Sequence, residues 1–377
     1  MKICLLSVDF LPNVGGIASH VYELSKQYVK NGHEVHIITY KDKSCNTDYE
    51  KIDGINVHRI GYPKIKGSRF LYAIKLYFKI KSLENKEKFD LVHSQTIIPD
   101  SLVYLLFNHK NRFITEHSSD FLNWMNNPKN YSKLFFILNK AKKVFGPSEE
   151  IVNCFLKLGV TKNKAVFIPN GVDIKKFDYT IKRDESLIKK HCLVGQKVIL
   201  VPRRLEPKNG VIYAIRAIPE IIKRVENVKC IIVGGGWEEE KEKMLKEINN
   251  TGITDKVIFT GNVPNSEMVK YYGIADVVLL PSLQEATSIA GLEAMSMGKV
   301  LIGTKVGGLP YIIKDGKTGF LVEPRSPKSI AEKVLYLFNN KNLARKMGLF
   351  ARKEVEKNFS WPKIAEKFLK EYAEVLS

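Results

Sequence analysis

The chain has 377 residues, 44% hydrophobic and 27% charged, a composition that excludes a disordered, collagen-like or disulfide-stapled protein and leaves room for two domains. Sixty Lys and Arg stand against forty Asp and Glu, giving a formal net charge of +20. Such a field favours polyanions (nucleic acid, an anionic membrane face, phosphorylated substrates) and says nothing about fold. The five cysteines (Cys4, Cys45, Cys154, Cys192 and Cys230) form no CxxC pair, so the expected setting is a reducing cytosol rather than a disulfide framework or a zinc ribbon.

The first apolar run, residues 3–8, is too short for a secretory leader and ends in Asp9, so it reads as a buried strand. No apolar run reaches the ~18–20 residues of a membrane span. From there, short apolar runs alternate with helix-length amphipathic segments, the pattern of βαβ units and a parallel sheet. In the first half, strands are predicted near 2–8, 34–40, 55–60, 90–94, 112–116, 143–146 and 165–168. Helices are predicted near 17–31, 68–83, 100–108, 131–141 and 148–158, with Gly32 as the cap of the first.

Residues 173–190 are polar and break the pattern. A second series follows, with strands near 197–202, 229–233, 256–260, 276–280, 299–303 and 319–322. Its helices lie near 209–225, 237–249, 266–273, 288–297 and 327–338. In the closing helix Ile364, Phe368 and Tyr372 recur at spacing four. The fold class is therefore α/β, with two consecutive doubly wound parallel-sheet domains. The expected domains are residues 1–175 and 176–358, with a helix at 359–377 packing back on the first.

Several motifs fall at strand ends. Gly15 and Gly16 lie between the first strand and the first helix, where a glycine turn and free N–H groups suit an anion; a tight turn without ligand explains them equally well, and they do not form a GxGxxG. Gly234, Gly235 and Gly236 invite a phosphate, but Glu238, Glu239 and Glu240 follow and would repel one. The favoured reading there is a turn and a helix whose first-turn acids suit its dipole. Arg204 and Lys208 follow the first strand of the second series, one able to fork onto a phosphate and the other a point charge. Glu285 lies at a later strand-to-helix turn and Glu293 inside the helix. Between them the N–H groups of residues 286–289, including Thr287, Ser288 and Ile289, are expected to open the helix as an anion site. An anion cradle flanked by two hydroxyl-accepting carboxylates suits a sugar phosphate or a nucleotide sugar. Alone, Glu285 is also an ordinary helix-start acid, whereas an unpaired Glu293 in an apolar stretch is costly.

The Glu-x7-Glu spacing of Glu285 and Glu293, with Leu292-Glu293-Ala294-Met295, resembles the retaining nucleotide-sugar glycosyltransferases of the GT-B fold, the family 4-like group 1 enzymes. Similar segments run through nearly the whole chain. They are Gly15-Gly16 with His20, Glu23-Leu24 and Gly32-His33-Glu34-Val35; Pro169-Asn170-Gly171-Val172-Asp173 at the domain junction; Arg204-Leu205 with Lys208; 304–310; and 315–322. The resemblance implies two Rossmann-like domains facing a central cleft, the first binding the acceptor and the second the nucleotide-sugar donor. It implies that Arg204 and Lys208 hold the donor diphosphate and that Glu293 holds the ribose. Glu285 would hold the transferred sugar, aided by the N–H groups near Thr287, Ser288 and Ile289. Gly15 and Gly16 would close over the diphosphate, and His117 would act at the transferred sugar or the acceptor. Loops near Asn262 and Val263 are expected to meet the base.

The pattern departs from the family at three places, all around the expected diphosphate and sugar. Arg203 stands where the family has Gly, Asn209 separates Lys208 from Gly210, and Ala286-Thr287-Ser288 replaces Gly-Phe-Gly. No Asp-x-Asp occurs in the sequence. The cationic pair and the helix start can stabilise the leaving diphosphate, so metal-independent transfer without a cofactor is expected. The donor is expected to be UDP- or GDP-linked, carrying a hexose or N-acetylhexosamine.

Residues 64–81 carry Lys64, Lys66, Arg69, Lys75, Lys79 and Lys81 among aromatics and no acid, and residues 129–143 carry Lys129, Lys133, Lys140, Lys142 and Lys143. Buried aromatics with solvated lysines account for this. So does docking on an anionic membrane face, with a lipid or lipid-phosphate acceptor and a cytoplasmic, peripheral location. A nucleotide-sugar epimerase and a basic nucleic-acid-binding protein are the alternatives. The second shows no helix-turn-helix, RRM or zinc pattern, so no nucleic-acid partner is expected.

Overall fold

The structure, a computed structural model, describes the chain except residues 14, 42–44, 46, 62–67 and 118–119, and without the side chains of Ser68, Arg69 and Asp120. The chain divides into two compact units, Met1–Asn170 with Trp361–Ser377, and Gly171–Ser360. The first crossing lies inside the 169–173 junction segment rather than at 175.

The first unit contains β1 (Lys2–Ser7), α1 (Gly16–Lys30), β2 (Glu34–Tyr40), β3 (Tyr49–Ile52), β4 (Ile55–Ile60), α2 (Ser68–Glu87), β5 (Leu91–Ser94), β6 (Arg112–Thr115), α3 (Asp120–Met125), α4 (Tyr131–Asn139), β7 (Lys143–Gly146), α5 (Glu149–Lys157) and β8 (Ala165–Phe167). Its eight-stranded sheet runs in the order β3-β4-β2-β1-β5-β6-β7-β8. All pairs are parallel except the short β3, which runs antiparallel to β4. β1, β5 and β7 are buried almost throughout because both faces of a parallel sheet are covered. The alternation in Tyr49–Ile52 was too short to stand out, and β3 is half exposed. The helix expected at 100–108 is a 3₁₀ turn, Asp100–Leu105.

The second unit contains α6 (Glu185–Lys190), β9 (Lys197–Pro202), α7 (Val211–Ile222), β10 (Val228–Val233), α8 (Glu238–Thr251), β11 (Val257–Gly261), α9 (Met268–Ile274), β12 (Val277–Leu280), α10 (Ile289–Ser296), β13 (Val300–Thr304), α11 (Leu309–Ile312), β14 (Gly319–Val322), α12 (Pro327–Asn339) and α13 (Lys341–Asn358). Its six-stranded parallel sheet runs β11-β10-β9-β12-β13-β14. One core cluster takes Ile199, Ile215, Ile232 and Val334, and the other takes Leu200, Tyr272, Leu292 and Val355. α8 begins on Glu238, Glu239 and Glu240 and ends on Gly252 in the left-handed region.

The last helix, α14 (Trp361–Leu376), belongs to the first unit. Trp361, Ile364, Phe368 and Tyr372 complete the core formed by Leu5, Val21, Tyr28, Ile37 and Phe145. The Tyr372 hydroxyl shares hydrogen bonds with the Tyr28 hydroxyl at 3.1 Å and His93 Nδ1 at 2.5 Å. Lys143 pairs with Glu371 and Glu374 at 2.9 and 3.1 Å, which removes it from the exposed basic surface proposed from 129–143.

α13 has no clear apolar stripe in its sequence, because eight of its eighteen residues are charged. Its inner face centres on Arg352, 6% exposed. Arg352 Nη1 donates to Phe177 O and Ser296 O, both at 2.8 Å, Nη2 donates to Ile174 O at 3.1 Å, and Nε pairs with Glu356. One guanidinium thus ties the segment entering the unit to α10 and α13. Arg352→Met, which leaves these buried carbonyls short of donors, should lower stability in denaturant unfolding by about 2–4 kcal/mol; Arg352→Lys should recover part of it.

Candidate donor site on the second unit

The strand order of the second unit reverses at β9: the chain runs outward to β10 and β11, then returns to place β12 on the other side of β9. Open α/β sheets bind ligands in the crevice at the carboxyl ends of such strands. Here the loops after β9 and β12, residues 203–210 and 281–288, are joined through backbone. Leu283 N and Gln284 N donate to Lys208 O at 2.7 and 3.2 Å. Gly210 has φ of 61°, and a Cβ there would lie 2.1 Å from Pro281 O. The loop after β13 also docks here, with Gly308 N donating to Ala286 O at 2.7 Å. A Cβ on Gly307, with φ of 51°, would sit 1.6 Å from Glu285 O, so only glycine allows this approach.

Arg204 and Lys208 share the first loop, with Glu206 between them. Its carboxylate lies 3.4 Å from Lys208 Nζ and 4.0 Å from Arg204 Nη1. The sequence reading passed over Glu206, although an acid two residues from each of two loop cations is a visible sign of such an arrangement. Glu285 lies on the second loop, 13% exposed, and pairs with Arg203; Ser282 Oγ donates to its Oε2 at 3.2 Å. α10 begins at Ile289, within a residue of the start expected near 288, so Ala286 and Thr287 precede it and do not open the helix as expected. Ser288 is its N-cap and accepts the Gly291 N–H at 3.1 Å, which removes one donor from the supposed cradle.

Glu293 lies one turn into α10, buried, and accepts from the Tyr272 hydroxyl at 2.8 Å. This partner explains how an acid is tolerated in an apolar stretch. Burial pushes the Glu293 carboxyl up to about 7, against the pull of Tyr272 and the Lys176 charge. Asn262 and Val263 follow β11. Asn262 Oδ1 accepts the Gly235 N–H at 2.9 Å. The Gly235 carbonyl in turn accepts Leu205 N at 2.9 Å, so Asn262 is linked through one turn to the loop that carries Arg204. Val263 packs partly against the core.

The remaining predicted residues lie on the first unit. Gly15 is the N-cap of α1, and its φ of −163° is an extended conformation open to any residue, so backbone freedom does not explain it. A Cβ on Gly16 would meet nothing within 4 Å. His117 follows β6, and its Nε2 lies 3.1 Å from Gln95 Oε1, a contact in which the imidazole N–H donates. Its ring centroid is 4.3 Å from that of His20, whose Nδ1 lies 2.9 Å from Asn170 Oδ1. Burial, with His20 and His93 nearby, holds His117 well below the usual histidine range, and burial lowers His20 to about 4. At neutral pH both imidazoles are uncharged, so His117 can act through hydrogen bonds but not as a cation. Gln95 and His20 were not anticipated in this setting. Val14, Ser118 and Ser119, which flank these motifs, lie outside the described residues.

Among the described residues, Glu34, His36 and Glu87 bring three potential metal ligands together on β2 and α2. Lys2 Nζ lies 3.4 and 3.3 Å from the two carboxylates and answers their charge.

Two parallel α/β units, the second with cations and two carboxylates at its switch point, define the GT-B class. Two family models match the chain: Glycosyltransferase Family 4 over residues 14–176 and Glycosyl transferases group 1 over 183–354. The chain belongs to this glycosyltransferase family. It is 29% identical to an uncharacterised glycosyltransferase of Methanocaldococcus jannaschii, over 99% of this chain and 98% of the relative. It is 27% identical to N-acetyl-alpha-D-glucosaminyl L-malate synthase of Bacillus anthracis, over 98% and 97%. The crystal structure of HepE from Anabaena, in complex with UDP and glucose, has the same fold, with a TM-score of 0.81, 19% identity and 99% of each chain covered.

The raised Glu293 carboxyl predicts a pH dependence. Between about 4.5 and about 7 the folded protein holds a proton that the unfolded chain releases, so this group's contribution falls as pH rises through that window. Glu293→Gln, which can still accept from Tyr272, should stabilise the ligand-free protein by roughly 2–3 kcal/mol at pH 8 and by little at pH 4. Calorimetric melting at the two pH values checks this.

Proposed function

We propose that this protein transfers a hexose or N-acetylhexosamine from a UDP- or GDP-linked donor to a hydroxyl acceptor, with retention at the anomeric carbon and without a metal ion. The observation that carries the reading is the joined pair of loops at the β9–β12 switch point, with Arg204 and Lys208 on one and Glu285 opening the way to Glu293 on the other. The complex of HepE with UDP and glucose and the glucosaminyl product in the Bacillus anthracis relative's name support a nucleotide-sugar donor.

Breaking the anomeric C–O bond leaves an oxocarbenium-like sugar and puts further negative charge on the diphosphate. Arg204 and Lys208 stabilise that charge, as a metal would elsewhere. When the diphosphate enters, it takes the place of Glu206 as counter-charge to the two cations. Glu293 accepts the ribose hydroxyls, which favours its ionised form, so binding releases a proton from it below about pH 7. Asn262 and Val263 meet the base. Thr287, Ser288 and Ile289 face the sugar and phosphate oxygens with Glu285. On the first unit, Gly15 and Gly16 leave room for the donor and neutral His117 hydrogen-bonds the sugar or acceptor. The acceptor oxygen attacks from the leaving-group side, and its proton passes to the departing phosphate oxygen.

The test is thermal stabilisation of the full chain by UDP, GDP, ADP and dTDP in EDTA. One diphosphate should raise the melting temperature by several degrees, as ligand binding to the folded state requires, and Lys208→Ala should remove most of that shift. No shift with any of the four, with or without magnesium, would exclude this function.

The acceptor side points to a lipid or lipid phosphate at an anionic membrane surface. On α2, Leu71, Lys75 and Phe78 are exposed along one face, Phe78 by 64%, over buried Tyr72, Leu76 and Ile80. On α4, Phe135 and Phe136 are exposed, and Lys140 lies 4.7 Å over the Phe136 ring. Apolar side chains among lysines suit an interfacial surface. Lys64 and Lys66 lie outside the described residues. No helix among the described residues is long and apolar enough to cross a membrane. Lys75→Glu with Lys79→Glu should abolish co-sedimentation with anionic vesicles while leaving transfer to a soluble acceptor intact. Wild-type sedimentation that ignores the vesicles would remove the membrane surface from this reading.

A further inference from the structure

Arg203 has no role in the reaction as described, yet it is among the most constrained side chains of the crevice. It is the first residue after β9 and spans the switch point to the loop after β12. Its Nη2 donates to Glu285 Oε2 and to Ser288 Oγ, the latter at 3.0 Å. The side chains of Arg203 and Glu285 are 11% and 13% exposed. The two sequence departures at 203 and 288 therefore touch one another. Glu285 Oε2 is doubly engaged, by Arg203 and by Ser282. Among the described residues, Glu285 Oε1 and Arg203 Nη1 make no hydrogen bond, and neither is among the fully buried atoms that lack one. The crevice is thus left with one carboxylate acceptor and one guanidinium donor, on a pair whose charges cancel. The Arg203 charge also acts on Tyr272, the partner of Glu293.

We propose that Arg203 and Glu285 act as one composite reader of the donor sugar and that Arg203 is its specificity-determining residue, an inference that rests on the transferase reading above. Glu285 Oε1 accepts from one ring hydroxyl, and Arg203 Nη1 donates to the oxygen on the neighbouring ring carbon. Adjacent oxygens of a pyranose lie about a hydrogen-bond length apart, as do the two arms of an ion pair. The guanidinium charge is already met by Glu285, so the pair has no excess charge to hold a uronate. The class of sugar it selects is neutral, with two adjacent oxygen substituents. A glycine at 203 would leave Glu285 to act alone, and a lysine has only one nitrogen to divide between Glu285 and the sugar.

The experiment separates the sugar from the nucleotide. Affinities of wild type, Arg203→Gly and Arg203→Lys are measured calorimetrically for UDP, GDP, UDP-glucose, UDP-N-acetylglucosamine, UDP-glucuronate and GDP-mannose. For whichever nucleotide binds, wild type should prefer at least one neutral nucleotide sugar to its bare diphosphate and to the uronate. Both variants should bind the bare diphosphate within about twofold of wild type and lose about tenfold for the nucleotide sugar, while melting cooperatively. Arg203→Lys keeps a charge beside Glu285 and serves as the folded control if Arg203→Gly fails to fold. Equal loss for diphosphate and nucleotide sugar, no loss for either, or a wild-type preference for the uronate would overturn the assignment. Failure of wild type to bind any of the six compounds would instead overturn the transferase reading itself.

Discussion

The candidate site depends on the joining of two loops by backbone rather than by side chains. The loops after β9 and β12 belong to neighbouring strands whose connections leave in opposite directions, so nothing in the sheet ladder itself holds their tips together. The Lys208 carbonyl does, by accepting two N–H groups from the other loop. Gly210 and Gly307 make the approach sterically possible, since a Cβ at either would meet a carbonyl oxygen well inside contact distance. With the backbone fixed in this way, Arg204, Lys208 and Glu285 are placed by short spans of chain, and little conformational freedom is left to lose when a ligand arrives.

The electrostatics of the two units differ in kind. In the second, charges are kept and matched, Arg203 with Glu285 and the loop cations with Glu206. In the first, burial holds His20, His93 and His117 below their usual range and pushes Asp100 up to about 7. A matched set of charges suits an ionic ligand such as a diphosphate.

Much of this was legible in the sequence, and the parts that were not have physical reasons. Parallel strands such as Lys197–Pro202 and Glu34–Tyr40 read clearly, because both faces are buried and the apolar run is nearly continuous. β3 is a four-residue edge strand with little buried surface, and α13 hides a buried arginine among the other charged residues of its sequence. Glu285 and Glu293 were legible from their spacing. Their partners were not, because Arg203 and Tyr272 come from another loop and another helix and meet these residues only through the fold. The helix start near 288 was legible, but residues 286 and 287 were expected to help open it, and Ser288, a strong cap, leaves them in the loop before it.

The position of α14 bears on how the protein is made. Its Trp361, Phe368 and Tyr372 are among the core residues of the unit that leaves the ribosome first. That core therefore cannot close until the residues of α14 have been made. The first unit must wait, with its apolar face open, until the whole of the second has emerged, and the longest-range contacts in the molecule form last. A chain that has not yet reached α14 is then a natural client for chaperones, and loss of this one helix exposes a core built mainly from the first 170 residues.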